Sequence, residues 1–90
     1  MARVQLTANL QRFVTQPVAS HIDGATVAQV LRNLFATQPG LGPYVLDEHG
    51  ALRKHMVVFV DGQRVVDRQR LSDAVPPGGE VYVFQSLSGG

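Results

Sequence analysis

Ser88-Gly89-Gly90 is the part of this chain whose residue types could enter a reaction. Two residues without Cβ, placed after a strand-like segment, make a thin and flexible tail. Such a tail can thread a narrow enzyme channel and present its own α-carboxylate. That carboxylate has an ordinary pKa of about 3.5, so it is ionised near neutral pH and resists nucleophiles until it is activated. Engineered linkers also end in Gly and Ser. The dipeptide therefore takes its meaning from the body behind it.

Little else in the sequence could react. There is no cysteine, which removes disulfides, thiolate metal sites, a catalytic thiol and a persulfide carried on the protein. Gly78-Gly79 lacks the Lys-Ser/Thr pair that follows the glycines of a phosphate-binding loop. His21, His49 and His55 fall on separate segments without metal-ligand spacing and read as surface residues. Ser20 beside His21 is an adjacency; a triad needs geometry and a third orienting group. Asp47 and Glu48 share a predicted turn and read as solvated acids. The chain is expected to hold no metal and no cofactor.

The elements that would carry the tail are legible in the spacing. Arg3 to Thr7 alternates polar and apolar, the period of a half-buried strand. Asn9 to Arg12 reads as a turn and Val14 to Ile22 as a second strand, with Pro17 favouring an edge position. Thr26 and Gln29 have the spacing of a capping box. Val27, Val30, Leu31, Leu34 and Phe35 then form one helical stripe, which Gln38-Pro39-Gly40 ends through a left-handed exit. Tyr44–Leu46 and Ala51–Arg53 flank a predicted short hairpin at Asp47 to Gly50. His55 to Val60 is the strongest strand and stops at Asp61-Gly62. Val65-Val66 suggests a brief pairing, Leu71 to Ala74 a helical turn, and Glu80 to Phe84 the last strand.

One helix cannot cover both faces of a sheet, so the compact arrangement is a sheet curled over that helix. This predicts an α+β fold of the β-grasp, ubiquitin-like type, with a mixed sheet of four to five strands over one main helix. Residues 1–84 form the expected single domain and residues 85–90 a flexible Gly-Gly tail. Ninety residues with 44% hydrophobic and 17% charged content suit one small globular core.

Net charge is +1, and Arg64, Arg68 and Arg70 share their segment with Asp61, Asp67 and Asp73. That pattern reads as a solvated loop and not as a phosphate-neutralising patch, so nucleic acid is not the expected partner. The N-terminus shows no basic stretch leading into an apolar one, and no run nears the roughly 18 apolar residues of a membrane span. The expectation is a soluble cytoplasmic protein without a membrane partner.

Alternation assigns Met56, Val58, Val60, Val81 and Val83 to the core. It leaves His55, Val57, Phe59, Tyr82 and Phe84 on the other face, where water is expected. An apolar cluster there marks a protein contact, unless residues 41–54 fold back over it or a one-residue register slip swaps the faces and buries His55. Phe84 lies six positions before the end of the chain. A partner gripping it would aim the tail, which from Gln85 onward could reach about 20 Å at roughly 3.3 Å per residue. Leu87 and Ser88 join Phe84, Phe59, Tyr82 and Val57 as expected partner-binding residues.

The order of elements, with Gly24-Ala25-Thr26-Val27, Leu31 and Leu34, Val58-Phe59-Val60-Asp61-Gly62, Pro77-Gly78-Gly79-Glu80-Val81 and Ser88-Gly89-Gly90, resembles the MoaD/ThiS family of ubiquitin-like sulfur carriers, such as the molybdopterin synthase small subunit. The likeness runs over nearly the whole chain. It implies that an E1-like enzyme, using ATP in trans, adenylates the Gly90 carboxylate and that sulfur displaces AMP to give a thiocarboxylate. A downstream acceptor enzyme then takes the sulfur. On this reading Gly89 and Gly90 are the reacting end of a sulfur-donor substrate that is not itself an enzyme. The longer Tyr44–Lys54 segment favours carriers of molybdopterin or cysteine biosynthesis over thiamin carriers.

Two other functions fit the same residues. A ubiquitin-like modifier would be activated identically and joined to other proteins through Gly90; Lys54, the only lysine, would limit self-polymers to one internal attachment point. A non-covalent interaction module would not need its tail. A β-grasp ferredoxin would need cysteine ligands that this chain lacks.

Overall fold

The computed structural model describes residues 1–14 and 21–86. Its strands are β1 (Arg3–Leu6), β2 (Met56–Val60), β3 (Gln63–Arg64) and β4 (Glu80–Gln85), and its helices are α1 (Ala8–Gln11), α2 (Val27–Thr37) and α3 (Gly42–Val45). The four strands form one sheet in the order β1-β4-β2-β3. The first and last strands lie side by side and parallel, while β2 runs antiparallel to both β4 and β3. A parallel neighbour needs a long crossover, and here everything between residues 7 and 79 supplies it.

The α2 helix is built as its sequence predicts. Thr26 Oγ1 accepts from the Gln29 N–H at 3.3 Å, and Gln29 Oε1 accepts from the Ala25 N–H at 2.8 Å. The reciprocal bond reaches one residue earlier than in a standard capping box. Val27, Val30, Leu31 and Leu34 are fully buried, and Phe35 packs half-buried at the edge of the same stripe. They meet Val58, Val81 and Val83, all 0% exposed, on the inner face of the sheet. Gly24 permits this approach: at φ +154°, a Cβ there would lie 2.6 Å from both the backbone N and Cγ2 of Val30.

Several local expectations change. The segment expected to turn at 9–12 is instead the single helical turn α1, which buries Leu10. The strand expected over 14–22 falls mostly on residues 15–20, outside the described residues, Pro17 included. Of its ends, Val14 donates to Gln11 O, and Ile22 exchanges two 2.7 Å hydrogen bonds with Ala2 in an antiparallel bridge. The exit from α2 runs through Gln38 at φ −131° and uses no left-handed residue. Tyr44 and Val45 are helical, because Pro43 at the start of α3 has a φ suited to a first turn. The predicted hairpin shrinks to one Leu46–Leu52 bridge.

The helical turn expected at Leu71–Ala74 does not form, for a reason that lies far away in the chain. The first N–H groups of a helix lack partners within it. Leu71 O accepts from Ala28 N–H at 2.9 Å, and Asp73 O accepts from Val27 N–H at 3.0 Å. Leu71 takes φ +55° with its side chain buried, and Ala74 bridges Thr26. Non-helical backbone here completes α2. Pairing beyond β2 falls on Gln63–Arg64; Val65 N–H still bonds Val58 O, while Val66 is 88% exposed.

Candidate functional site

β4 is central, with β1 on one side and β2 on the other, and its register decides what lies outside. Val57 stands opposite Phe84, Phe59 opposite Tyr82, and Tyr82 also opposite Gln5 of β1. Strand alternation places these side chains on the face away from α2. His55 is exposed, which rules out the slipped register. The 41–54 segment sends Leu41, Val45 and Leu52 into the core cluster with α2.

The outer face is less open than the alternation alone suggests. Phe84 is 38% exposed, but Val57 is only 3% exposed while standing outside the core cluster. Phe59 and Tyr82 are half-buried. The rings of Tyr82 and Phe84 meet edge to face with centroids 6.2 Å apart, a geometry favoured by the aromatic quadrupole. The sequence-predicted patch is thus brought together with Val57 as its floor and Phe84 as its most accessible member. Arg3 and Glu80 form an exposed ion pair at 3.0 Å at one margin; pairs of that kind contribute little to stability.

Both ends of the β2–β4 ladder are tied. At one end Asp61 (φ +48°) and Gly62 (φ +82°) form the left-handed turn into β3, the conformation that two-residue hairpins demand. The Asp61 N–H donates to Glu80 O at 2.9 Å, and Asp61 Oδ1 accepts from Glu80 N–H at 2.8 Å. The Asp-Gly pair signals the turn in sequence; its clamp on β4 does not, because Glu80 is 19 positions away. At the other end Met56 pairs with Gln85, and Ser86 N–H donates to His55 O at 2.8 Å. Sheet pairing therefore continues past the expected boundary at residue 84. Leu87, Ser88, Gly89 and Gly90 lie outside the described residues.

The remaining acidic candidates are turn-builders. Asp47 accepts from the His49 and Ala51 N–H groups, which hold its carboxyl below its ordinary pKa. Asp67 is lowered to about 2, chiefly by the Ser72 hydroxyl and then by the Arg70 N–H. Asp73 is lowered by the N–H groups of Val66 and Asp67. Among the described residues no three His, Cys, Asp or Glu side chains converge as a metal-ligand set, and no helix is long and apolar enough to cross a membrane.

Among the described residues, a mixed four-stranded sheet with β1 and β4 adjacent and parallel, wrapped on one main helix, defines a β-grasp, ubiquitin-like protein. The sequence model of the ThiS family matches residues 4–90, and the chain belongs to that family. It is 35% identical to small archaeal modifier protein 3 of Haloferax volcanii over 68 residues, which cover 76% of this chain and 73% of that protein. The crystal structure of SAMP1 from Haloferax volcanii superposes with a TM-score of 0.78 at 30% identity, covering 99% of this chain and 98% of that one. A chain of the Amycolatopsis orientalis BexX/CysO complex gives a TM-score of 0.84 with full coverage of both chains at 19% identity, a likeness of fold. This protein is thus one of the ubiquitin-like small modifiers and sulfur carriers, whose members are small carrier or modifier proteins and not catalysts.

Proposed function

We propose that this chain carries sulfur on its C-terminal carboxylate. An E1-like enzyme uses ATP to convert the Gly90 carboxylate into an acyl adenylate, releasing pyrophosphate. A sulfur nucleophile then attacks the acyl carbon and AMP leaves, so that a thiocarboxylate remains. The acceptor belongs to a molybdopterin-type or cysteine-type biosynthesis, on the length of the 44–54 segment.

The observation that carries this reading is the family match reaching the terminal Gly89-Gly90 behind a sheet face that exposes Phe84. Backbone pairing holds Ser86, and residues 87–90 span at most about 13 Å at roughly 3.3 Å each. The adenylating centre must therefore come within that distance of Ser86. A partner seated on Phe84, Tyr82 and Phe59 meets this condition. Glycine at 89 and 90 would let the channel close around the tail without a Cβ in the way.

Intact mass after incubation with ATP, a cognate adenylating enzyme and sulfide tests the reading. A gain matching one oxygen replaced by sulfur is expected, and no gain overturns it. Gly90→Ala should abolish the gain while leaving the fold unchanged; full thiocarboxylate formation in that variant would dismiss the tail's role. A second reading, attachment to other proteins through Gly90, is favoured by the 35% identity to a modifier protein. Covalent adducts that survive reductant in cell extracts would establish it.

A further inference from the structure

The side of the molecule that bears α2 has its own surface feature, which the sulfur chemistry does not use. A groove of about 710 Å³ runs between α2 and the turns at 46–50 and 69–71. Ala28, Arg32 and Phe35 reach it from positions i, i+4 and i+7 of α2, one helical face. Leu46 completes an apolar floor with Ala28 and Phe35, Leu71 lies buried beneath it, and Arg32, Arg70 and His49 stand at its exposed rim. No carboxylate lines it.

The rim's fixed charge comes from Arg32 and Arg70, and the nearby acids are hydrogen-bonded or paired away from both guanidinium groups. Asp47 and Asp67 turn their carboxylates onto backbone N–H groups of their own loops. Glu48 lies 3.5 Å from His49. Neither Arg32 nor Arg70 has an ion-pair partner among the described residues. Two further surface grooves differ in kind: one places Asp61 and Asp73 with Arg64, and the other Asp47 and Glu48 with Arg53. Of these three, the α2 groove is the one that sets arginines beside an apolar floor with no carboxylate in its lining.

We propose that this groove docks an acidic, apolar segment of a partner protein, through a surface separate from the outer sheet face. Aliphatic side chains of the segment fill the floor against Ala28, Phe35 and Leu46, and flanking carboxylates meet Arg32 and Arg70. Guanidinium suits this task because its planar donors match a carboxylate. The carrier could then hold a second protein while its tail is engaged at the other face.

NMR titration of the full-length, isotope-labelled chain tests this with two synthetic peptides. Both carry the same Val-Leu core; one is flanked by Asp and the other by Lys. The Asp-flanked peptide should shift the amides of Arg32, Phe35, Gly50 and Gln69 and leave Phe59 and Phe84 in place. Added salt should weaken it. The double variant Arg32→Glu, Arg70→Glu should keep the native spectrum and bind that peptide about tenfold more weakly. Equal binding of the Lys-flanked peptide, shifts confined to the outer face, no binding, or an unchanged double variant would each overturn the proposal. The same double variant should form thiocarboxylate at the wild-type level, so this test can fail without touching the sulfur-carrier reading.

Discussion

The two faces of the sheet alternate along the same strands but differ in residue type and in cover, with valines inside and mostly aromatic rings outside. On the inner face Val58, Val81 and Val83 are sealed against Val27, Val30, Leu31 and Leu34. On the outer face Val57 is buried although it stands outside the core cluster, Phe59 and Tyr82 are half-covered, and Phe84 is exposed. Apolar alternation is thus satisfied twice, once by the chain's own helix and once only in part. A small domain that leaves aromatic side chains half-covered beside its last strand has a surface suited to a partner. Inner-face residues should be read by their effect on stability and outer-face residues by their effect on binding.

Substitutions on the two faces should split along that line, and the largest effect belongs inside. Leu34→Ala empties a fully buried site and should cost about 2–5 kcal/mol of unfolding free energy. Denaturant titration checks this, and a cost no larger than that of a surface change would mean that the helix does not carry the core. Gly24→Ala comes next. Its Cβ would press on the Val30 backbone at a φ that side chains rarely adopt, for a loss on the order of 1–3 kcal/mol.

Phe84→Ala should show the reverse balance. Its stability cost should stay near about 1 kcal/mol, while affinity for the activating enzyme falls about tenfold or more. Calorimetry of the pair and thermal unfolding of the variant supply the two numbers; a large stability loss with unchanged affinity would move Phe84 to the structural side. The smallest effect concerns a region on neither face. Asp67 has a folded pKa of about 2 against an ordinary 3.8. Its contribution is therefore complete above the ordinary value and is lost as pH falls through the interval toward about 2. Asp67→Asn should flatten that part of the stability profile and leave neutral-pH binding at the outer face unchanged.

Much of this arrangement is legible in local spacing. The stripe from Val27 to Phe35, the Thr26–Gln29 cap and the alternation through Met56–Val60 and Glu80–Phe84 each depend on neighbours a few positions apart, and the structure places them as read. The misreadings at Asn9–Arg12, Tyr44–Val45 and Leu71–Ala74 are short segments with weak intrinsic preference, where the surrounding structure settles the conformation. Leu71 is the clearest case. Its left-handed backbone makes sense only beside the unfilled N–H of Ala28. The outer patch was foreseeable as a list of residues, but its shape was not, since alternation tells apart neither the burial of Val57 nor the exposure of Phe84 opposite it.

The sequence by itself determined which side of each strand and of α2 is apolar, and that a glycine pair stands at positions 89 and 90, because these follow from periodicity and residue type. Tertiary structure alone decided that β1 lies parallel to β4, that Asp61 clamps Glu80, and that Arg32 and Arg70 flank one groove without carboxylates. Those outcomes join residues far apart in the chain. No local pattern encodes them, and only the shared need to bury apolar surface and satisfy backbone N–H groups brings them together.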